Sequence, residues 1–137
     1  MTYDLRRKIF QELANSGVTV YVADRIIQAN SIFTPPKEKP FLVIRIGTTN
    51  PATPYQAGGV ETYFQIWAHD DPGDYHVIDL VLAEVKKALL SAAREPGFYE
   101  FRYLETSEDM EDDAMSTLVR YCRYQAITRE ELPTPQP

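Results

Sequence analysis

Val60-Glu61-Thr62-Tyr63-Phe64-Gln65-Ile66-Trp67-Ala68 is the stretch whose reading decides the fold. Successive side chains of a strand point to opposite faces, so this run sorts into two sets. Val60, Thr62, Phe64, Ile66 and Ala68 form one face; Glu61, Tyr63, Gln65, Trp67 and His69 form the other. The second set carries large amphipathic rings of the kind that a partner covers.

The elements on either side follow from composition and period. After the strand, His69-Asp70-Asp71-Pro72-Gly73-Asp74 reads as a turn, with Asp71 or Asp74 placed to cap a helix. That helix is expected over residues 75–93, with Ile78, Leu82, Val85 and Leu89 as its buried stripe and Glu95-Pro96-Gly97 as its stop. Before the strand, Phe41-Leu42-Val43-Ile44-Arg45-Ile46 reads as a short apolar strand. Residues 47–59, rich in Thr, Pro, Asn and Gly, read as a long loop.

An amphipathic N-terminal helix is predicted over residues 2–16, burying Leu5, Ile9 and Leu13 and wetting Arg6, Arg7 and Lys8, with Gly17 to end it. Val18-Thr19-Val20-Tyr21-Val22 alternates like a strand. Residues 23–39 read as a connection holding one helical turn near Arg25-Ile26-Ile27; Pro35, Pro36 and Pro40 forbid a long helix there. Residues 98–105 and 114–128 read as a hairpin.

These elements predict an α+β fold in which a single, mainly antiparallel sheet carries the N-terminal helix and the second long helix on one face. One domain over residues 1–130 suits the 137-residue length, and 131–137, with Pro133, Pro135 and Pro137, reads as a disordered or extended tail.

The charge is concentrated. Glu105, Glu108, Asp109, Glu111, Asp112 and Asp113 hold six of the 20 acids, and the other 14 acids equal the 14 bases. The body is therefore neutral, with one acidic protrusion expected to be a mobile hairpin tip, and it offers no broad footprint for a nucleic-acid backbone. The sequence shows neither the apolar run of a membrane span nor a signal peptide, and the single Cys122 cannot form an internal disulfide.

Chemistry is sparse in the pattern. His69 to His76 mixes His and Asp, but a capped strand-to-helix turn accounts for every residue there and the spacing matches no metal motif. Cys122 with His69 or His76 is the sole Cys/His pairing, and no glycine elbow or helix N-terminus adjoins Cys122 to activate it. The acidic run lacks the spacing of a calcium loop. The expectation is a protein with no catalytic residues, no cofactor and no metal.

A family resemblance rests on four segments. They are Pro40-Phe41-Leu42-Val43-Ile44-Arg45-Ile46-Gly47, Glu61-Thr62-Tyr63-Phe64-Gln65-Ile66-Trp67-Ala68, the helix opening Asp74-Tyr75-His76-Val77-Ile78-Asp79 and ending Ala88-Leu89-Leu90, and the hairpin Phe101-Arg102-Tyr103 with Arg120-Tyr121-Cys122-Arg123-Tyr124-Gln125-Ala126. Over roughly residues 3–128 this pattern resembles the tail terminator (tail-completion, head–tail joining) proteins of tailed bacteriophages. The resemblance implies an α+β subunit of a homohexameric ring in the virion, at the tail–head junction, assembled in the host cytoplasm. The ring caps the tail tube, stops its growth and meets a neck or head-completion protein, with DNA only as passing cargo and no membrane. The acidic tip and the Pro-rich end depart from the family pattern. An adjacent neck or connector protein, or a small α+β adaptor module outside phages, are the competing readings.

Ring closure needs two different patches per subunit. The candidates are the loop with Thr48, Thr49, Asn50 and Tyr55, the Tyr63 and Trp67 face, and the acidic tip. The tip is expected either to meet Arg6, Arg7 and Lys8 of a neighbour or to line the bore. The plainer alternative places Tyr63 and Trp67 in the core beneath the helices.

Overall fold

The computed structural model describes residues 4–28, 38–51 and 59–129. The element order is α1 (Leu5–Ala14), α2 (Thr19–Val22), β1 (Ile26–Gln28), β2 (Phe41–Pro51), β3 (Gly59–Asp70), α3 (His76–Leu90), β4 (Phe98–Thr106), β5 (Met110–Asp112) and β6 (Thr117–Arg129). The fold is α+β. The strands form one sheet in the order β1-β2-β3-β6-β4, with β5 also paired to β6. Among the described residues only the β1–β2 pair is parallel, so the sheet is mixed and mainly antiparallel.

The helices pack on one face. Ile9 and Leu13 of α1 and Ile78, Val81, Leu82, Val85 and Leu89 of α3 share a buried cluster with Leu42, Ile44, Phe64, Ile66, Phe101, Cys122 and Tyr124 of the sheet. Phe64 anchors this layer, edge-on to Phe101 at 5.4 Å and stacked on Tyr124 at 5.5 Å. The α1 helix starts where Asp4 accepts a hydrogen bond from the Arg7 N–H at 3.1 Å, and α3 where Asp74 accepts one from His76 at 3.0 Å. Gly97 takes φ 87° after Pro96, the left-handed position such a turn needs.

Several local expectations are corrected. Residues 18–22 are not a strand: Thr19–Val22 is a helical turn. Val18 and Val22, four apart, are fully buried while Val20 is 82% exposed. Burying both valines against α3 outweighs their β-propensity. Residues 25–27 are not a helical turn: Ile26–Gln28 pairs in parallel with Leu42–Ile44. Residues 47–51 and Gly59, predicted as loop, are strand: β2 runs to Pro51 after a register shift between Ile46 and Thr49, and β3 begins at Gly59. The β3 strand supplies partners there, and Thr49 and Thr62 share a hydroxyl contact of 2.9 Å. The helices are also trimmed. α1 ends at Ala14, short of Gly17, and α3 at Leu90, where Ser91 Oγ donates to the Lys87 carbonyl at 2.7 Å.

Lys8 is not on a wet face. It is 4% exposed, and its ammonium meets Glu12 at 3.0 Å, Glu95 at 3.4 Å and the Ala93 carbonyl at 3.2 Å, 4.9 Å above the Phe98 ring. The apolar stem packs while the charge is paired. Tyr55 and the Pro-rich tail lie outside the described residues.

Candidate functional site

The face of the sheet turned away from the helices carries the rings that the β3 alternation singled out. Trp67 stacks on Tyr121 of the neighbouring β6 at 4.6 Å, donates its indole N–H to Gln65 at 3.0 Å, and lies 5.5 Å from the Arg45 guanidinium. Tyr63 donates to Glu61 at 3.3 Å and sits 4.9 Å under the Arg123 guanidinium. Both rings are half-buried and neither is under the helices, which removes the core alternative for them. At one end of this face His69 is buried, stacked on Phe41 at 4.7 Å, with Nδ1 at 2.9 Å from the Thr117 hydroxyl. Burial pulls its pKa down from 6.5 to about 4, helped by Arg45 and Lys39 and opposed by Asp112.

A groove of about 470 Å³ opens where β2 runs on past the end of β1. Arg6, Arg45, Arg123, Tyr63, Gln65 and Thr48 are among the residues lining it. Gly47 also lines it, and a Cβ there would stand 3.1 Å from the Tyr63 carbonyl oxygen, so the bare backbone permits the close approach of the two strands. Arg6 donates to Gln28 at 3.2 Å. Among the described residues no carboxylate lies within ion-pair distance of Arg6 or Arg45, and Arg123 has only Glu105 at 3.8 Å. Thr49 and Asn50 stand further along β2, opposite Thr62 and Glu61.

The acidic segment is not a free hairpin tip. Met110–Asp112 adds a short strand to β6, and the Tyr75 hydroxyl donates to the Met110 carbonyl at 2.7 Å. Asp112 accepts from the Met115 N–H at 3.1 Å, and Asp109 meets Arg120 at 3.3 Å. Arg120 in turn bonds Asp79 of α3 at 2.6 Å. Glu108, Glu111 and Asp113 remain exposed and have no ion-pair partner among the described residues. The predicted receptor for this segment is altered as well: Lys8 is internal, and Arg7 is engaged by Gln11 at 3.1 Å and Glu95 at 3.9 Å.

His69 and Cys122 do not pair, since they stand on opposite faces of the sheet. Cys122 is buried against Thr106 at 3.2 Å, and burial pushes its thiol pKa up. Around the strand-to-helix turn, Asp71 pairs with Lys39 at 3.4 Å, and Tyr75 rather than Asp71 or Asp74 is the N-cap of α3, with Asp74 accepting from the His76 N–H at 3.0 Å. No group of three His, Cys, Asp or Glu suited to a metal occurs among the described residues.

The fold is shared with a virion chain. The structure is similar to a chain in the virion of a native gene transfer agent particle, with a TM-score of 0.70 at 17% sequence identity. The match covers 93% of this chain and 95% of that one, so the likeness extends to the whole arrangement rather than to one supersecondary piece. At that identity it speaks for the fold. No family model matches the sequence, and no curated protein does.

Of the groove arginines, Arg6 was singled out from the sequence, while Arg45 and Arg123 were missed. Their signal was present in parity: on β6, Tyr121 and Arg123 alternate with the core residues Cys122 and Tyr124, which assigns them to the Trp67 face.

Proposed function

We propose that this protein is a structural virion subunit, a tail terminator that closes into a hexameric ring on the end of the tail tube and joins it to the neck. The observation that carries this reading is the near full-length fold likeness to a chain of a phage-like particle. The side chains support it. Half-buried aromatic rings and arginine residues gather on the sheet face turned away from the helices, residue types enriched at protein interfaces. The polar groups best suited to chemistry are kept apart on either side of the sheet, which favours a binding role over an enzymatic one.

Six subunits in a ring present six copies of one edge to the tube and six of the opposite edge to the neck protein. DNA passes through the bore as cargo. No helix among the described residues is long and apolar enough to cross a membrane. The ring would sit at the tail–head junction of the virion.

The test is a particle preparation lacking this protein, examined by electron microscopy. Overlong tails without heads are expected. Tails of normal length that lack heads would instead indicate an adjacent neck protein, and intact particles would refute a structural role.

A further inference from the structure

The geometry points to the Arg6–Arg45–Arg123 groove as the socket for the acidic segment Glu108–Asp113 of a second copy of this chain. This contact deepens the ring reading and rests on it.

Three arginines, from α1, β2 and β6, line one groove of about 470 Å³. Arg6 and Arg45 lack a carboxylate partner among the described residues, and the Arg123–Glu105 pair is long and half exposed on both sides. Arginines that line one groove with a single long ion pair among them favour an anion in that space. Guanidinium forks suit carboxylates as two-point partners, and Tyr63, Gln65 and Thr48 add neutral hydrogen-bonding groups on the same walls.

The same chain carries the complementary charge. Glu108, Glu111 and Asp113 project without ion-pair partners from a segment that β5 and the Tyr75–Met110 bond hold in place. Such a fixed acidic ridge loses little freedom on docking.

Within one subunit only Glu105, beside Arg123, reaches the groove; the unpaired acids Glu108, Glu111 and Asp113 do not. The ridge pairs with β6 at Thr117–Val119, four to six residues from Arg123, and the Arg45 strand lies two places across the sheet from β6. At ~3.3 Å per residue and ~4.8 Å per strand, ridge and groove stand roughly 20 Å apart. Each subunit therefore offers a socket at one corner and a plug at another, which is the heterologous contact a ring requires.

A peptide spanning residues 104–114, titrated into the full-length protein, tests the contact through emission of Trp67, the one tryptophan. Saturable binding is expected. It should weaken at least about tenfold when NaCl rises from about 0.05 to about 0.5 M, and by a similar factor in the Arg45→Ser/Arg123→Ser variant. No binding, equal binding by the variant, or tighter binding of a single-stranded oligonucleotide of the same charge would overturn the proposal. Light scattering separates it from the ring reading. Unchanged assembly of Arg45→Glu/Arg123→Glu removes the contact and leaves the ring. Assembly lost in that variant and regained on mixing it with Glu108→Lys/Glu111→Lys/Asp113→Lys supports both. Peptide binding by a chain that stays monomeric even with tail tubes supports the contact and removes the ring.

Discussion

Acidification isolates the contribution of His69. Its imidazole is 3% exposed and its pKa is lowered from 6.5 to about 4, chiefly because burial disfavours the charged ring. The unfolded chain takes up a proton on this side chain as pH falls through about 6.5, while the folded chain resists until about pH 4. The stabilising contribution is therefore complete above pH 6.5, declines below it, and is gone below pH 4. Between pH 6.5 and 4.5 the loss is about two pH units at ~1.4 kcal/mol each, or roughly 2–3 kcal/mol. Urea unfolding followed by far-ultraviolet circular dichroism at the two pH values measures it. The His69→Gln variant carries every other titrating group and removes this one. Wild type should lose roughly 2–3 kcal/mol more than the variant over this interval. Equal losses in the two proteins would refute the claim that the ring is held neutral between Phe41 and Thr117.

Other changes read out separate features. Tyr75→Phe removes the bond to the Met110 carbonyl and should cost about 1 kcal/mol, with faster amide exchange confined to residues 110–112 and their β6 partners. Lys8→Ala removes a buried stem together with its ion pairs to Glu12 and Glu95 and should cost about 1–2 kcal/mol in a urea titration, whereas Arg7→Ala should change stability by less than about 0.5 kcal/mol. Ile66→Ala opens a cavity beneath α3 and should cost about 3 kcal/mol by the same measurement.

What the sequence disclosed follows from the range of the forces involved. The β3 strand and the buried stripe of α3 were legible because their periodicity is local and both faces are set by burial. Residues 18–22 were misread because Val18 and Val22 fit either a strand or a helical turn, and only contact with α3 decides. The second half of β2 was hidden by loop-like composition; its strand state depends on pairing with β3, which is remote in sequence. The acidic segment was recognisable as a charge cluster, but its anchoring by Tyr75, 35 residues away, was not. The arginine groove draws on α1, β2, β3 and β6 together, so no single window of sequence contains it. The neutral overall charge of the body concealed this local positive concentration.

The most direct measurement is native mass spectrometry of the purified protein, alone and with isolated tail tubes, joined to negative-stain microscopy of the tube ends. The account predicts a closed assembly of six 15.7 kDa subunits, seen end-on as a ring on one end of each tube. A chain that stays monomeric in both settings and leaves the tube ends bare would contradict it.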